Sequence, residues 1–363
     1  MSALAPAVWP AEEPAFARLL VVDPARGTVR DGLVSDLESL LRPFDLLVLN
    51  DAATLPASLA GWSARGPVEL RLAGPPTSDL WPAVLFGAGS WRERTEDRRP
   101  PPRLATGERL ELEPPGPEGG LSAEIVSVSA VSPRLVEVRF DRDGARLWRA
   151  LFQIGRPVQY SYLRGPLPLW HVQTAFAGRP LAAEMPSAGR VLRVPLLRTL
   201  RRRGVALATV THAAGLSSTG DPALDAALPL PELSLIPESA VAAVEGATAR
   251  GGRIVAVGTT VVRAIEGAFR EGRLRAGRNR TDLKIGPGFR PRVVSGLLTG
   301  LHEPGQSHFE LLQAFAPRPL LDRALAHARE AGYLGHEFGD ASLILGDGEA
   351  GQRAVGAGAS SSS

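Results

Sequence analysis

The stretch from Arg253 to Glu266 constrains the fold more than any other part of the chain. Ile254-Val255-Ala256-Val257 is a short apolar run, mostly β-branched, and reads as a buried strand. Gly258 ends it, because glycine enters a sharp turn without steric cost. Thr259 or Thr260 can then N-cap a helix that begins at Val261. Val261, Ile265 and Phe269 share one face of that helix, with Arg263, Glu266 and Arg270 elsewhere. Free backbone N–H groups and the positive end of the helix dipole would meet at the strand's tip, a place suited to an anionic or polar ligand group. Taken alone, the stretch is also what an ordinary capped helix looks like, with Arg263 and Glu266 as a surface ion pair.

The same strand-then-helix rhythm runs through most of the chain. Strands are expected near residues 17–22, 44–49, 205–211, 293–301 and 341–345, and helices near 33–41, 196–203, 237–250, 308–316 and 321–331. Between 61 and 157 the texture changes. Val68 to Leu72 and Leu135 to Phe140 alternate apolar and polar residues, proline and glycine clusters separate them, and no long helical pattern is visible. These features predict a mixed α/β fold, with a large α/β domain made of residues 1–60 and 158–345. A small β-barrel or β-sandwich domain at 61–157 interrupts it. Residues 1–15 read as loosely structured and 346–363, rich in Gly, Ala and Ser, as a disordered tail. Ligands of α/β sheets bind beyond the carboxyl ends of the strands. Asn50, Asp51, His212, Thr259, Thr260 and His302 all fall at such ends.

Composition closes several routes. With no cysteine, there are no disulfides, thiol nucleophiles or thiolate metal sites. The first ten residues lack the basic start and apolar core of a signal peptide, and no apolar run reaches the roughly 18 residues of a membrane span. A cytoplasmic protein without membrane contact is expected. Dinucleotide-binding glycine loops, a phosphate-binding Gly-Lys-Ser/Thr loop and a Gly-x-Ser-x-Gly elbow are all missing. His302-Glu303 and His308 do not make the zinc pattern His-Glu-x-x-His. Neither a metal nor a tightly bound cofactor is expected. Lys284 is the single lysine among 41 basic residues. The arginines cluster at 190–203 and again at 270–292, either as solvated faces or as patches for nucleic acid.

Ala256-Val257-Gly258-Thr259-Thr260-Val261-Val262-Arg263-Ala264-Ile265-Glu266 resembles the Ala-Val-Gly-Thr-Thr-Ser-x-Arg-x-Leu-Glu pattern of the S-adenosylmethionine:tRNA ribosyltransferase-isomerase (QueA) family. Further matches follow in order along nearly the whole chain. They are Asp45 to Asp51, Gln173-Thr174, Pro186-Ser187-Ala188-Gly189, Val210-Thr211-His212, Glu232, Ile285 to Phe289, Leu298-Thr299-Gly300-Leu301-His302-Glu303-Pro304 and Phe338-Gly339-Asp340-Ala341. The chain departs from the family pattern at Ala52-Ala53, where the family has Thr-Arg, and at Arg190-Val191-Leu192, where it has Leu-His-Phe. It departs again at Gly300, where the family has Asn, and at Gln306-Ser307-His308, where it has Ser-Thr-Leu.

The resemblance implies an α/β domain with an inserted barrel and an enzyme of queuosine biosynthesis. Such an enzyme moves the ribosyl unit of S-adenosylmethionine, its co-substrate, onto the aminomethyl group of a 7-deazaguanine base in tRNA. Rearrangement gives epoxyqueuosine, with adenine and methionine leaving. A base must take the proton beside the sulfonium, and adenine leaves better when protonated. His302 or His212 is the expected acid or base, with Glu232 or Asp340 as its partner. Asn50, Asp51, Gln173, Ser187, Gly189, Gly258, Thr259, Thr260, Arg263 and Thr299 are the expected substrate-binding residues. The partners implied are tRNA and S-adenosylmethionine, and the protein is expected as a monomer. A paralogue that uses S-adenosylmethionine on a small acceptor, or a non-catalytic RNA-binding relative, is the alternative.

Overall fold

The computed structural model describes residues 3–11, 16–116 and 119–346. At its centre is a nine-stranded sheet. The strand order is Gly277–Thr281, Glu232–Ile236, Ala206–His212, Leu46–Asn50, Ile254–Val257, Gly296–Gly300, Ala341–Leu345, Arg18–Asp23 and Thr28–Leu33. Ala206–His212, Leu46–Asn50, Ile254–Val257 and Gly296–Gly300 run parallel, so their C-terminal tips share one edge. Glu232–Ile236 runs antiparallel to Ala206–His212, and Ala341–Leu345 antiparallel to Gly296–Gly300, so both bring their N-terminal ends to that same edge.

The middle strands are apolar along their whole length because both faces of the sheet are covered. Leu46 and Val48 point into one core, with Ile254, Ala256 and Leu297, under the helices Glu238–Ala249, Thr259–Ala268 and Arg318–Glu330. Leu47 and Leu49 point the other way, to Val255, Val257 and Leu298, under Leu37–Leu40 and Val194–Arg202. The edge of the sheet opposite the strand tips is closed by a buried ion pair. Arg253 reaches both carboxylate oxygens of Asp45, at 2.6 Å from Nη2 to Oδ2 and 3.2 Å from Nε to Oδ1. It also donates to the carbonyl of Leu40.

Six strands close into a barrel, in the order Gly119–Val128, Leu135–Phe140, Trp81–Phe86, Gly66–Leu72, Ser58–Ser63 and Arg109–Gly116. Leu59, Leu70, Leu85, Leu110, Ile125 and Val138 fill its core. Glu69 is buried between Arg71 and Arg98. Burial alone would raise its carboxyl, but the two guanidiniums bring it down to about 2.

Several expected elements change length for visible reasons. The helix expected at 33–41 shrinks to a 3-10 turn at Val34–Asp36 and the single turn Leu37–Leu40, because Leu33 belongs to a strand paired with Arg18–Asp23. The strand expected from 293 begins only at Gly296, since the amides of Arg292, Val293 and Val294 donate to the Glu266 carboxylate instead of to a neighbouring strand. A helix, Gly144–Ile154, occupies part of the stretch where no helical pattern was expected. Its Leu147, Ala150, Leu151 and Ile154, spaced three and four apart, pack on the barrel. Near the N-terminus, Ala5–Pro6 pairs with Leu334–Gly335, so this part of 1–15 is held to the body. The tail expected at 346–363 lies, beyond Gly346, outside the described residues.

Candidate active site

Gly258, at φ 93°, makes the turn that only glycine enters freely, and the helix starts at once, at Thr259. Neither threonine caps it, contrary to the sequence expectation. Their hydroxyls turn instead toward the edge where the parallel strands end. Thr259 Oγ1 lies 2.9 Å from His308 Nδ1, and Thr260 Oγ1 lies 3.4 Å from Asn50 Nδ2. The helix is buried on nearly every side, Arg263 and Glu266 included. The surface pair expected between these two does not form.

Two hydrogen-bonded groups meet at this edge. In the first, Asn50 clamps the backbone of His212, accepting from its N–H at 2.9 Å and donating to its carbonyl at 3.0 Å. The His212 ring is fully buried. Its Nε2 lies 2.8 Å from Glu232 Oε2, and Arg263 Nη2 lies 2.5 Å from the same oxygen. Glu232 Oε1 accepts from the Gly215 amide at 2.8 Å. Burial would raise the Glu232 carboxyl, but His212 and Arg263 outweigh it and hold it below its usual range. Burial pushes the His212 imidazole down against the pull of Glu232. An ionised carboxylate beside a neutral ring places the ring proton on Nε2 and leaves the Nδ1 lone pair open. Among the described residues, His212 Nδ1 and Arg263 Nη1 are both buried without a partner.

The second group is a histidine pair. His302 and His308 stack with ring centroids 5.0 Å apart, and His302 Nε2 lies 3.0 Å from Thr299 Oγ1. Both rings are only half-buried. His308 is held at about 4, by burial first and then by the Arg263 charge. His302 lies well below the ordinary histidine range through burial, with His308 and His336 adding to it. Both are therefore neutral at physiological pH and able to accept a proton. Thr259 and Thr260, adjacent on the helix, link His308 to Asn50 and so to His212.

The other expected site residues divide. Gly258 sits against the turn Ser187–Gly189, where a Cβ on Gly258 would come 3.4 Å from that of Ala188. Asp51 accepts from Thr211 Oγ1 at 2.5 Å, which in turn accepts from Arg179. Gln173 is spent on the backbone of Thr54, accepting from its N–H and donating to its carbonyl, both at 2.9 Å. Asp340 likewise accepts from the amides of Arg18 and Leu334, and so ties the start of the last strand to both segments. Each of these oxygens already accepts a backbone N–H bond.

Sequence reasoning passed over three features here. His308 was considered only as a metal ligand, although its place in the first turn after a strand tip was a usable signal. Glu337 carries a buried Oε2 with no partner among the described residues, and burial pushes its carboxyl up to about 7. Tyr160 donates to Glu184 at 2.6 Å and lies parallel to Tyr162, which packs on His336. No spacing rule would have found these last two. Among the described residues, no group of three or more His, Asp or Glu is placed to hold a metal ion, and no helix is long and apolar enough to cross a membrane.

Fold and site together define an α/β protein with an inserted closed barrel and a buried histidine–carboxylate–arginine cluster at the tips of its parallel strands. The model of the queuosine biosynthesis protein family matches residues 3–344, and the chain belongs to that family. It is 37% identical to the S-adenosylmethionine:tRNA ribosyltransferase-isomerase of Gloeobacter violaceus, over 93% of this chain and 91% of that one. It is also 37% identical to the protein of that name from Thermus thermophilus, over 91% and 93%. The crystal structure of an S-adenosylmethionine tRNA ribosyltransferase from Thermotoga maritima has the same fold. The TM-score is 0.52 at 24% identity, over 94% of this chain and 96% of that one.

Proposed function

We propose that the protein is an S-adenosylmethionine:tRNA ribosyltransferase-isomerase of queuosine biosynthesis. It transfers the ribosyl unit of S-adenosylmethionine to 7-aminomethyl-7-deazaguanine in tRNA and isomerises it to epoxyqueuosine, releasing adenine and methionine. The observation that carries this reading is the convergence of His212–Glu232–Arg263 and Thr259–His308–His302–Thr299 at one sheet edge, in a chain of this family.

The reaction needs a base for the proton on the ribose carbon beside the sulfonium. A neutral imidazole with an open lone pair meets that need, and His212 Nδ1 or the His302–His308 pair supplies one. Glu232 keeps the His212 proton on Nε2, and Arg263 keeps Glu232 ionised. The same arginine places a positive charge near the site, where the methionine carboxylate of the co-substrate is a suitable partner. The imidazolium formed by the first proton transfer is then an acid of suitable strength for the departing adenine.

Incubating the protein with S-adenosylmethionine, with and without tRNA bearing the aminomethyl base, tests this. Adenine release that depends on tRNA, with the epoxycyclopentyl mass added to the tRNA, is expected. Release without tRNA would point to a small-molecule acceptor, and tRNA binding with no release to a non-catalytic relative.

A further inference from the structure

The two arginine-rich stretches of the sequence occupy different parts of the fold. Arg198, Arg201 and Arg202 are exposed on the helix Val194–Arg202. That helix turns at Gly204 into the start of the strand Ala206–His212. Its arginine-bearing end therefore lies at the edge of the sheet away from the histidines. The second stretch surrounds the outermost strand, Gly277–Thr281. Arg270, Arg273, Arg278, Arg280 and Arg292 are exposed there, and among the described residues none of the five has a carboxylate partner. Arg280 donates to Thr77 of the barrel at 2.8 Å, and Arg292 lies over the Phe269 ring.

The register of this strand gives the patch a direction. Arg278 lies opposite Leu235 and Arg280 opposite Leu233, two residues apart and so on one face. The next pair along is Thr281 with Glu232, the carboxylate that holds His212. The strand thus leads from solvent to the site. A cavity lies on each side of it, and Arg280 lines both. One, of about 260 Å³, is bounded by Arg270, Arg292, Phe269 and Phe289. The other, of about 390 Å³, lies between the barrel and the strand Glu232–Ile236, with Glu232 in its wall. Guanidiniums grip phosphates in a planar fork.

We infer that this outer edge of the sheet, from Arg270 and Arg292 through Arg278 to Arg280, is the surface that holds an RNA backbone and leads it to the cavity walled by Glu232. The inference rests on the reading of the protein as an enzyme acting on tRNA, and it assigns the RNA to one of two basic patches.

Binding of a fluorescent anticodon stem–loop RNA, followed by anisotropy between about 50 and 200 mM salt, tests it. The triple variant Arg270→Gln, Arg278→Gln, Arg280→Gln should bind at least about tenfold more weakly, with a logarithmic salt slope shallower by roughly two to three. The double variant Arg270→Gln, Arg278→Gln keeps the Arg280–Thr77 bond and so guards against a loosened barrel; it should show about two-thirds of that change in slope. Arg198→Gln, Arg201→Gln, Arg202→Gln should bind as the unaltered protein does. Edge variants that bind normally, or an equal loss from the helix variant, would overturn the inference. If tRNA-dependent adenine release persists in that case, the functional reading stands and only the assigned surface is wrong. If the unaltered protein binds no RNA, both fall together.

Discussion

Arg263 donates to Glu232 across the strand tips, and not to Glu266, its neighbour on the same helix. Glu266 has another task, accepting three backbone N–H bonds from Arg292, Val293 and Val294. The helix Thr259–Ala268 thus carries two buried charges with separate roles: one shapes a loop and the other sets the electrostatics of the site.

Replacing Glu232 by Ala should strand Arg263 as a buried, unpaired charge. Loss of one partner of such a pair costs about 3–5 kcal/mol. The same change frees the His212 ring, so adenine release should fall by roughly 10²-fold or more. Glu232→Gln, which keeps the shape, should recover much of the stability and little of the rate. Urea unfolding together with initial rates separates the two effects, and equal recovery of both would exclude a role for the carboxylate in catalysis.

The histidine pair makes a prediction about pH. His308 is held at about 4 by burial and by Arg263, and His302 is displaced in the same direction. The acid limb of kcat should therefore lie well below the pH of about 6.5 at which a free histidine titrates. Arg263→Met removes one of the causes and should move that limb upward. A limb at the ordinary histidine position in the unaltered protein would contradict this account.

Glu337 gives a test of opposite sign. Burial pushes its carboxyl up to about 7 in the folded protein, well above the usual glutamate range. The folded state therefore holds a proton that the unfolded chain has released, and this contribution to stability is lost as pH rises from about 4.5 through 7. Glu337→Gln removes the titration. The variant should gain on the unaltered protein as pH is raised from about 5 to 8, as read from denaturation midpoints. A constant difference across that range would show that Glu337 is ionised throughout.

Asp45 and Arg253 provide a control far from the strand tips. Asp45→Ala leaves a buried guanidinium without its bidentate partner and should cost about 3–5 kcal/mol. The Michaelis constant for S-adenosylmethionine, measured at a temperature where the variant is folded, should not change. A large change would mean that the two edges of the sheet communicate.

Much of this was legible in the chain. Apolar β-branched runs such as Ile254–Val257 read correctly as buried strands, because a strand covered on both faces must be apolar throughout. The alternation in Leu135–Phe140 likewise reported a half-buried strand, which in the structure turns one face into the barrel. Polar residues at the ends of such runs, Asn50, His212 and Thr259, lie together because parallel strands bring all their tips to one edge. The less legible part concerned long-range hydrogen bonding. The amides of Arg292 to Val294 look from sequence like the start of a strand, yet a carboxylate from a distant helix takes them.

Local sequence, then, determined which segments are strands and helices and which polar groups stand at strand tips. These are short-range properties, set by side-chain periodicity and by the turn at Gly258. Only the tertiary structure decided the partners. It gave Arg263 to Glu232, turned Thr259 toward His308, spent Gln173 and Asp340 on backbone amides, and left Glu337 with a buried free oxygen. A charged side chain's partner depends on which groups are removed from water beside it. Burial of that kind is a property of the packed molecule and of no single stretch of chain.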